Sequence, residues 1–129
     1  MSSPSIKGVR VLVVDDDDGV REAVRDYLLD CGGDVVSVRS ADAAMLMLAE
    51  TPPDVLISDI RMPGHDGFWL IRAVRALPRE RGGDIPAIAV TGRLDSAEAL
   101  LAAGFTEVRG KPPDMAELAA LVAGLAARC

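Results

Sequence analysis

The 129-residue chain has little of what many active sites are built from. It holds one histidine, His65, and no CxxC or Cys/His cluster, which excludes a zinc site or a hydrolytic centre built on several imidazoles. Its two cysteines are Cys31, in mid-chain, and Cys129, the last residue, so no disulfide framework is implied. Basic charge is in deficit: 14 Lys and Arg stand against 20 Asp and Glu, a formal net charge of −6. Such a domain is a poor phosphate-backbone binder, and no direct nucleic-acid binding is expected. No apolar run approaches the length that crosses a bilayer. The opening Met1-Ser2-Ser3-Pro4-Ser5 lacks the basic-then-apolar layout of a signal peptide. A cytoplasmic protein without membrane contact is the expectation. What is present suits one globular domain: 50% hydrophobic and 26% charged residues. Residues 1–7 read as a flexible lead-in and 8–127 as the domain.

Apolar runs alternate with helical patterns. Val9 to Val14 is a β-branched run that reads as a strand covered on both faces. A helix follows with Val20, Val24, Leu28 and Cys31 on one stripe, Asp17 or Asp18 as its cap, and Gly32-Gly33 as its stop. The pattern predicts further strands over 35–38, 54–59, 85–91 and 105–109. Helices are predicted from a Ser40 cap through Glu50, over 67–77, from an Asp95/Glu98 capping box to Gly104, and from an Asp114/Glu117 capping box onward. Five βα units argue for an α/β fold, a doubly wound parallel sheet with helices on both faces. In such sheets ligands bind beyond the carboxyl ends of the strands.

The chemistry-bearing residues fall at that end. Asp15 to Asp18 follow strand one, Asp59 ends strand three, Thr91 ends strand four, and Lys111 follows strand five. Each piece has a plain structural reading: a solvated turn, a strand-end hydroxyl, a loop lysine. Together they make a coherent site. Clustered carboxylates repel, and a hard cation such as Mg²⁺, held by one or two of them, relieves this. A carboxylate can act as a nucleophile and form an aspartyl phosphate, while metal, ammonium and hydroxyl compensate charge on the phosphoryl oxygens.

With these residues in view, the sequence resembles a response-regulator receiver domain of two-component signalling, over about residues 8 to 127. The matching segments are VLVVDDDDGVRE, DVLISDIRMPGHDG, AIAVTG and AAGFTEVRGKPPD. Thr91 and Lys111 follow Asp59 by 32 and 52 residues, in keeping with that family. The resemblance implies a flavodoxin-like (βα)5 sheet in the order 2-1-3-4-5. It implies Asp59 as phosphoacceptor, with Asp16, Asp59 and the backbone carbonyl of Arg61 as Mg²⁺ ligands and Asp15 acting through a bound water. Thr91 and Lys111 would bind the phosphoryl group, and the Lys111–Pro112 peptide would be cis. Asp17 and Asp18 would be cap and solvent-facing residues. The implied function is a phosphorylation-controlled switch fed by a sensor histidine kinase or a histidine phosphotransfer protein. It is not an enzyme beyond catalysing its own phosphorylation and dephosphorylation.

Two departures qualify the resemblance. The family's switch position, usually Tyr or Phe, is Val108 here, and Gly104 follows Thr91 by only 13 positions, a shortened segment after strand four. Both put the usual coupled output in doubt and leave open a phosphate sink or relay with weak conformational output. A haloacid-dehalogenase-type phosphatase is a distant alternative, because Gly19 stands where that family needs Thr. A flavin binder is disfavoured by four acids in the phosphate-loop position. The intact Asp, Thr and Lys set argues against a mere docking module. The chain reads either as a single-domain regulator or as a receiver piece of a longer protein, hybrid kinases included. His65 reads as a solvated loop residue, and of Phe68 and Trp69 one is expected to pack inward.

Overall fold

The computed structural model describes residues 5–127. Among them the chain forms β1 (Arg10–Val14), α1 (Asp18–Asp30), β2 (Asp34–Val38), α2 (Ala41–Glu50), β3 (Val55–Asp59), α3 (Gly67–Arg75), β4 (Ala87–Thr91), α4 (Ala97–Ala103), β5 (Glu107–Gly110) and α5 (Met115–Ala126). The strands make one parallel sheet in the order β2-β1-β3-β4-β5. This is the doubly wound, flavodoxin-like architecture expected from the sequence.

Strand periodicity divides the core in two. Val11 and Val13 of β1, Val55 and Ile57 of β3, and Ile88 and Val90 of β4 face α1 and α5, where Val24, Leu28, Leu118 and Val122 meet them. Their alternates Leu12, Val14, Leu56, Ala87 and Ala89 face α2, α3 and α4, against Leu48, Leu70, Ile71, Val74 and Leu100. Each large side chain fully buried here contributes about 1.5–3 kcal/mol. Burial on both faces is why the central strands read as unbroken apolar runs.

Local signals place most helix starts. Asp17, Ser40, Asp66 and Asp114 each accept a backbone N–H from the first turn of α1, α2, α3 and α5. Gly67 is required by close approach: a Cβ there would lie 2.6 Å from Ile60 Cδ1 and 2.7 Å from the Asp59 carbonyl oxygen. α3 can therefore begin directly against the end of β3.

Several expectations are corrected. Ile6, assigned to the lead-in, is buried; its N–H donates to the Cys31 carbonyl and its side chain covers Gly33. Residues 1–4 lie outside the described residues. The Asp95/Glu98 capping box does not form. Leu94–Ser96 is a 3₁₀ turn, Ser96 makes no side-chain cap, and Asp95 turns to Arg93 at 3.4 Å. α3 stops at Arg75, and β4 starts at Ala87 rather than at Ile85. Phe105 precedes β5; it is buried, and its N–H closes onto the Leu100 carbonyl at the end of α4. Arg75 accounts for part of this. Its half-buried guanidinium donates to the carbonyls of Gly104, Gly83 and Ile85, fixing the chain on both sides of β4.

Candidate functional site

The carboxyl ends of β1, β3, β4 and β5 meet at one cluster. Asp15 follows β1 directly and is 4% exposed. Its N–H donates to the Val38 carbonyl (3.1 Å), and Oδ1 accepts from Asp17 N (2.9 Å). Oδ2 lies 3.1 Å from Lys111 Nζ, and the Asp15 carbonyl accepts from Arg21 Nη1 (3.1 Å). Asp16 is exposed and turned to the same place: one oxygen from each of Asp15, Asp16 and Asp59 lies within 4.8 Å of the others.

Asp59 is the last residue of β3 and is buried. Oδ1 accepts from Ile60 N at 2.8 Å, and Oδ2 lies 3.2 Å from Lys111 Nζ. Burial, and then the charge of Asp15, push its carboxyl up to about 6, against the lowering effect of the Ile60 N–H and Lys111. Burial disfavours the Lys111 ammonium, but its hydrogen bonds and charge contacts with Asp15 and Asp59 outweigh this and raise it. Two carboxylates thus share one cation, leaving net negative charge in a partly dry pocket.

Thr91 ends β4 and is buried, with Oγ1 accepting from Arg93 N at 3.0 Å. A hydroxyl that accepts can still donate, so its proton is free to meet an incoming oxygen. The Lys111 N–H donates to the Thr91 carbonyl (3.0 Å), which ties the ends of β4 and β5 together, and the Lys111–Pro112 peptide is cis. Arg61 lies two residues past Asp59 in the exposed loop leading to α3. Val108 is half-buried against the α2–α4 side of the core.

The structure therefore groups Asp15, Asp16, Asp59 and Lys111, with Thr91 joined to Lys111 through its backbone carbonyl. Asp17 is the expected α1 cap, while Asp18 accepts from Arg21 (2.7 Å) and Arg39 (2.8 Å), which hold its carboxyl below the usual range. His65 is the exposed loop residue expected, and it also makes contacts of its own. Its Nδ1 lies 2.8 Å from Asp42 Oδ1, and its ring stacks on Trp69 with centroids 3.8 Å apart. Neither Phe68 nor Trp69 turns fully inward; both are half-buried, with the Arg72 guanidinium over Phe68. Sequence reasoning also missed the direct Lys111–Asp15 pair and the contact of Arg21 with Asp15. Only the i,i+3 spacing of Asp18 and Arg21 on α1 hinted at the latter.

Hard oxygen donors at this spacing fit Mg²⁺ or Ca²⁺ better than softer metals. Comparison with known proteins identifies the arrangement: the family model for the response regulator receiver domain matches residues 11–123. The chain belongs to that family. The receiver is 42% identical over 114 residues to an uncharacterized 14.6 kDa protein of Leptolyngbya boryana, covering 87% of this chain and 86% of that one. It is 37% identical over 116 residues to response regulator protein FleR of Pseudomonas aeruginosa, covering 88% of this chain but 24% of FleR. The receiver domain of sensor histidine kinase PA1611 from Pseudomonas aeruginosa superposes with a TM-score of 0.84 at 26% identity, covering 93% of this chain and 98% of that one. That structure has a magnesium ion coordinated in its active-site cleft.

Proposed function

We propose that this receiver is a phosphorylation-controlled signalling switch that works in the cytoplasm and takes a phosphoryl group onto Asp59 from a phosphohistidine. The donor is a sensor histidine kinase or a histidine phosphotransfer protein. The observation that carries this reading is the position of Asp59: buried at the end of β3, 3.2 Å from Lys111, and grouped with Asp15 and Asp16. Asp16, Asp59 and the Arg61 carbonyl would hold Mg²⁺, with Asp15 acting through a water. When bound, the ion neutralises the carboxylates and the phosphoryl oxygens.

An Asp59 oxygen attacks phosphorus; the P–N bond breaks, and its electron pair leaves on the donor imidazole. Lys111 and the Thr91 hydroxyl compensate charge on the phosphoryl oxygens. Water later cleaves the acyl phosphate, so the receiver catalyses only its own modification and reversal. A phosphate sink or relay is the second reading, favoured by Val108, which offers no ring to reorient at the family's switch position. Whether the receiver acts alone or within a longer regulator or hybrid kinase, its phosphoryl chemistry is the same.

The test is incubation with a small phosphodonor and Mg²⁺ followed by intact-mass measurement. One phosphoryl adduct is expected on the wild type and none on Asp59→Asn. Undiminished labelling of Asp59→Asn would overturn the assignment.

A further inference from the structure

Every hydrogen-bonding atom of Asp15 has a partner, and Asp59 has one on each carboxylate oxygen. Asp16 differs. Among the described residues it is the site carboxylate that is exposed and forms no hydrogen bond or ion pair of its own. Something other than its own contacts must aim it. The peptide joining Asp15 to Asp16 is fixed through its carbonyl oxygen, and the group that fixes it is Arg21, one turn into α1. The guanidinium is forked: Nη1 donates to the Asp15 carbonyl at 3.1 Å, while Nη2 reaches Asp18 at 2.7 Å. Its side chain is 14% exposed, whereas Asp18 at the other prong is 60% exposed. Asp18 is in turn held by Arg39 from beyond β2, which anchors the far prong.

From this geometry we infer that Arg21 is a positioning residue for the acidic pair. It orients the Asp15–Asp16 peptide plane so that the Asp16 carboxylate faces Asp59. This rests on the reading of Asp16 and Asp59 as ligands of a divalent cation. It adds a residue of opposite charge to the determinants of cation affinity, and this makes the sign of its effect informative. By Coulomb's law alone, deleting a cation beside three carboxylates should strengthen Mg²⁺ binding. Loss of positioning should weaken it, because an unaimed Asp16 must be ordered as the ion binds. A planar two-pronged clamp is also something lysine does not reproduce.

The experiment compares wild type, Arg21→Met and Arg21→Lys by Mg²⁺ titration at low and high salt, with amide exchange of the metal-free proteins. The expected result is Mg²⁺ affinity about three- to tenfold weaker in Arg21→Met, a loss that persists at high salt where charge effects are screened. Arg21→Lys should fall between the two, since it keeps the charge and one prong. In metal-free Arg21→Met the Asp17 amide, which donates to Asp15 Oδ1, should exchange faster than in the wild type, while amides of β4 are unchanged. Should Arg21→Met fail to fold, by circular dichroism, Arg21→Lys carries the same test. Unchanged or stronger Mg²⁺ binding in a folded variant, with Asp17 exchange unmoved, would overturn the inference and leave Arg21 as one more surface charge. A wild type that binds no Mg²⁺ would instead overturn the reading of the site itself, and the positioning role with it.

Discussion

The loop after β1 and the segment after β4 border the same cleft, yet they are held in opposite ways. Between Val14 and α1, Asp15 is bonded through every polar atom, Asp17 caps the helix, and Arg21 and Arg39 grip Asp18. Between Thr91 and α4 the chain runs through a 3₁₀ turn with no side-chain cap; Leu94 is 57% exposed. The bond nearest the site is the one that Arg93 N donates to the Thr91 hydroxyl oxygen, which leaves the hydroxyl proton to be donated elsewhere. The far end of α4 is secured, by buried Leu100 and Phe105 and by Arg75 on the Gly104 carbonyl. One side of the cleft is built to keep carboxylates in place. The other is anchored at its α4 end and has fewer side-chain bonds at the end next to Thr91. Preorganised chemistry and a movable reporter make opposite demands on backbone anchoring, and the two loops differ in that anchoring.

The largest effect should come from breaking the rigid side at its shared cation. Lys111→Ala leaves Asp15 and Asp59 facing each other without their ammonium. Metal-free unfolding stability should drop by about 2 kcal/mol, since one partner of a largely buried ionic cluster is gone. Millimolar Mg²⁺ should restore most of it, because cation binding to the folded state adds stability by mass action. Denaturant unfolding with and without Mg²⁺ checks both. An apo stability equal to wild type would show that Lys111 is not the group balancing the carboxylates. Phosphoryl labelling should persist in this variant while the movement after Thr91 is reduced.

The next effect is on pH. Asp59 is raised from 3.8 to about 6, so between those values the folded protein holds a proton that the unfolded chain has released. The contribution of this group to metal-free stability is therefore present in full below 3.8 and is lost as pH rises through about 6. Mg²⁺ must displace the proton, so its affinity should fall by up to about tenfold per pH unit below 6. Asp59→Asn should flatten that slope of stability with pH. Titrations at several pH values decide it, and a pH-independent affinity down to 5 would contradict the raised carboxyl.

The contrast between the loops is tested directly by amide exchange with and without a beryllofluoride mimic. Residues 92–96 should change more than β5, where Val108 has no ring to swing. Change confined to the acidic loop would favour a sink or relay; dominant change at Val108 would reverse the assignment of the moving part.

The smallest effect sharpens the comparison at the helix starts. Asp17→Ala should cost about 1 kcal/mol in the metal-free protein. Ser96→Ala, where no cap bond exists, should cost a few tenths at most. Thermal unfolding of the two variants resolves the difference.

Local order was legible in the sequence wherever its cause lies within a few residues. Unbroken apolar runs gave away the central strands, the stripe on α1 its buried face, and Asp17, Ser40 and Asp114 the helix starts, because a cap bond spans three positions. The site was legible as far as strand ends determine it: Asp15, Asp16, Asp59, Thr91 and Lys111 follow runs whose carboxyl ends must coincide in a parallel sheet. The Asp95/Glu98 pattern misled because a capping box needs an N-terminus at Asp95, and the 3₁₀ turn there moves the helix start to Ala97. Packing across the sheet decided the rest. Lys111 reaches Asp15 as well as Asp59 because β1 and β3 are neighbours in the sheet. His65 clasps Asp42 because α2 and α3 lie side by side on the same face, and Arg75 caps Gly104 because α3 and α4 do. A residue's chemistry and its local conformation are written in its neighbours along the chain. Its partner across a sheet or between helices depends on where whole elements come to rest, and only the tertiary structure decides that.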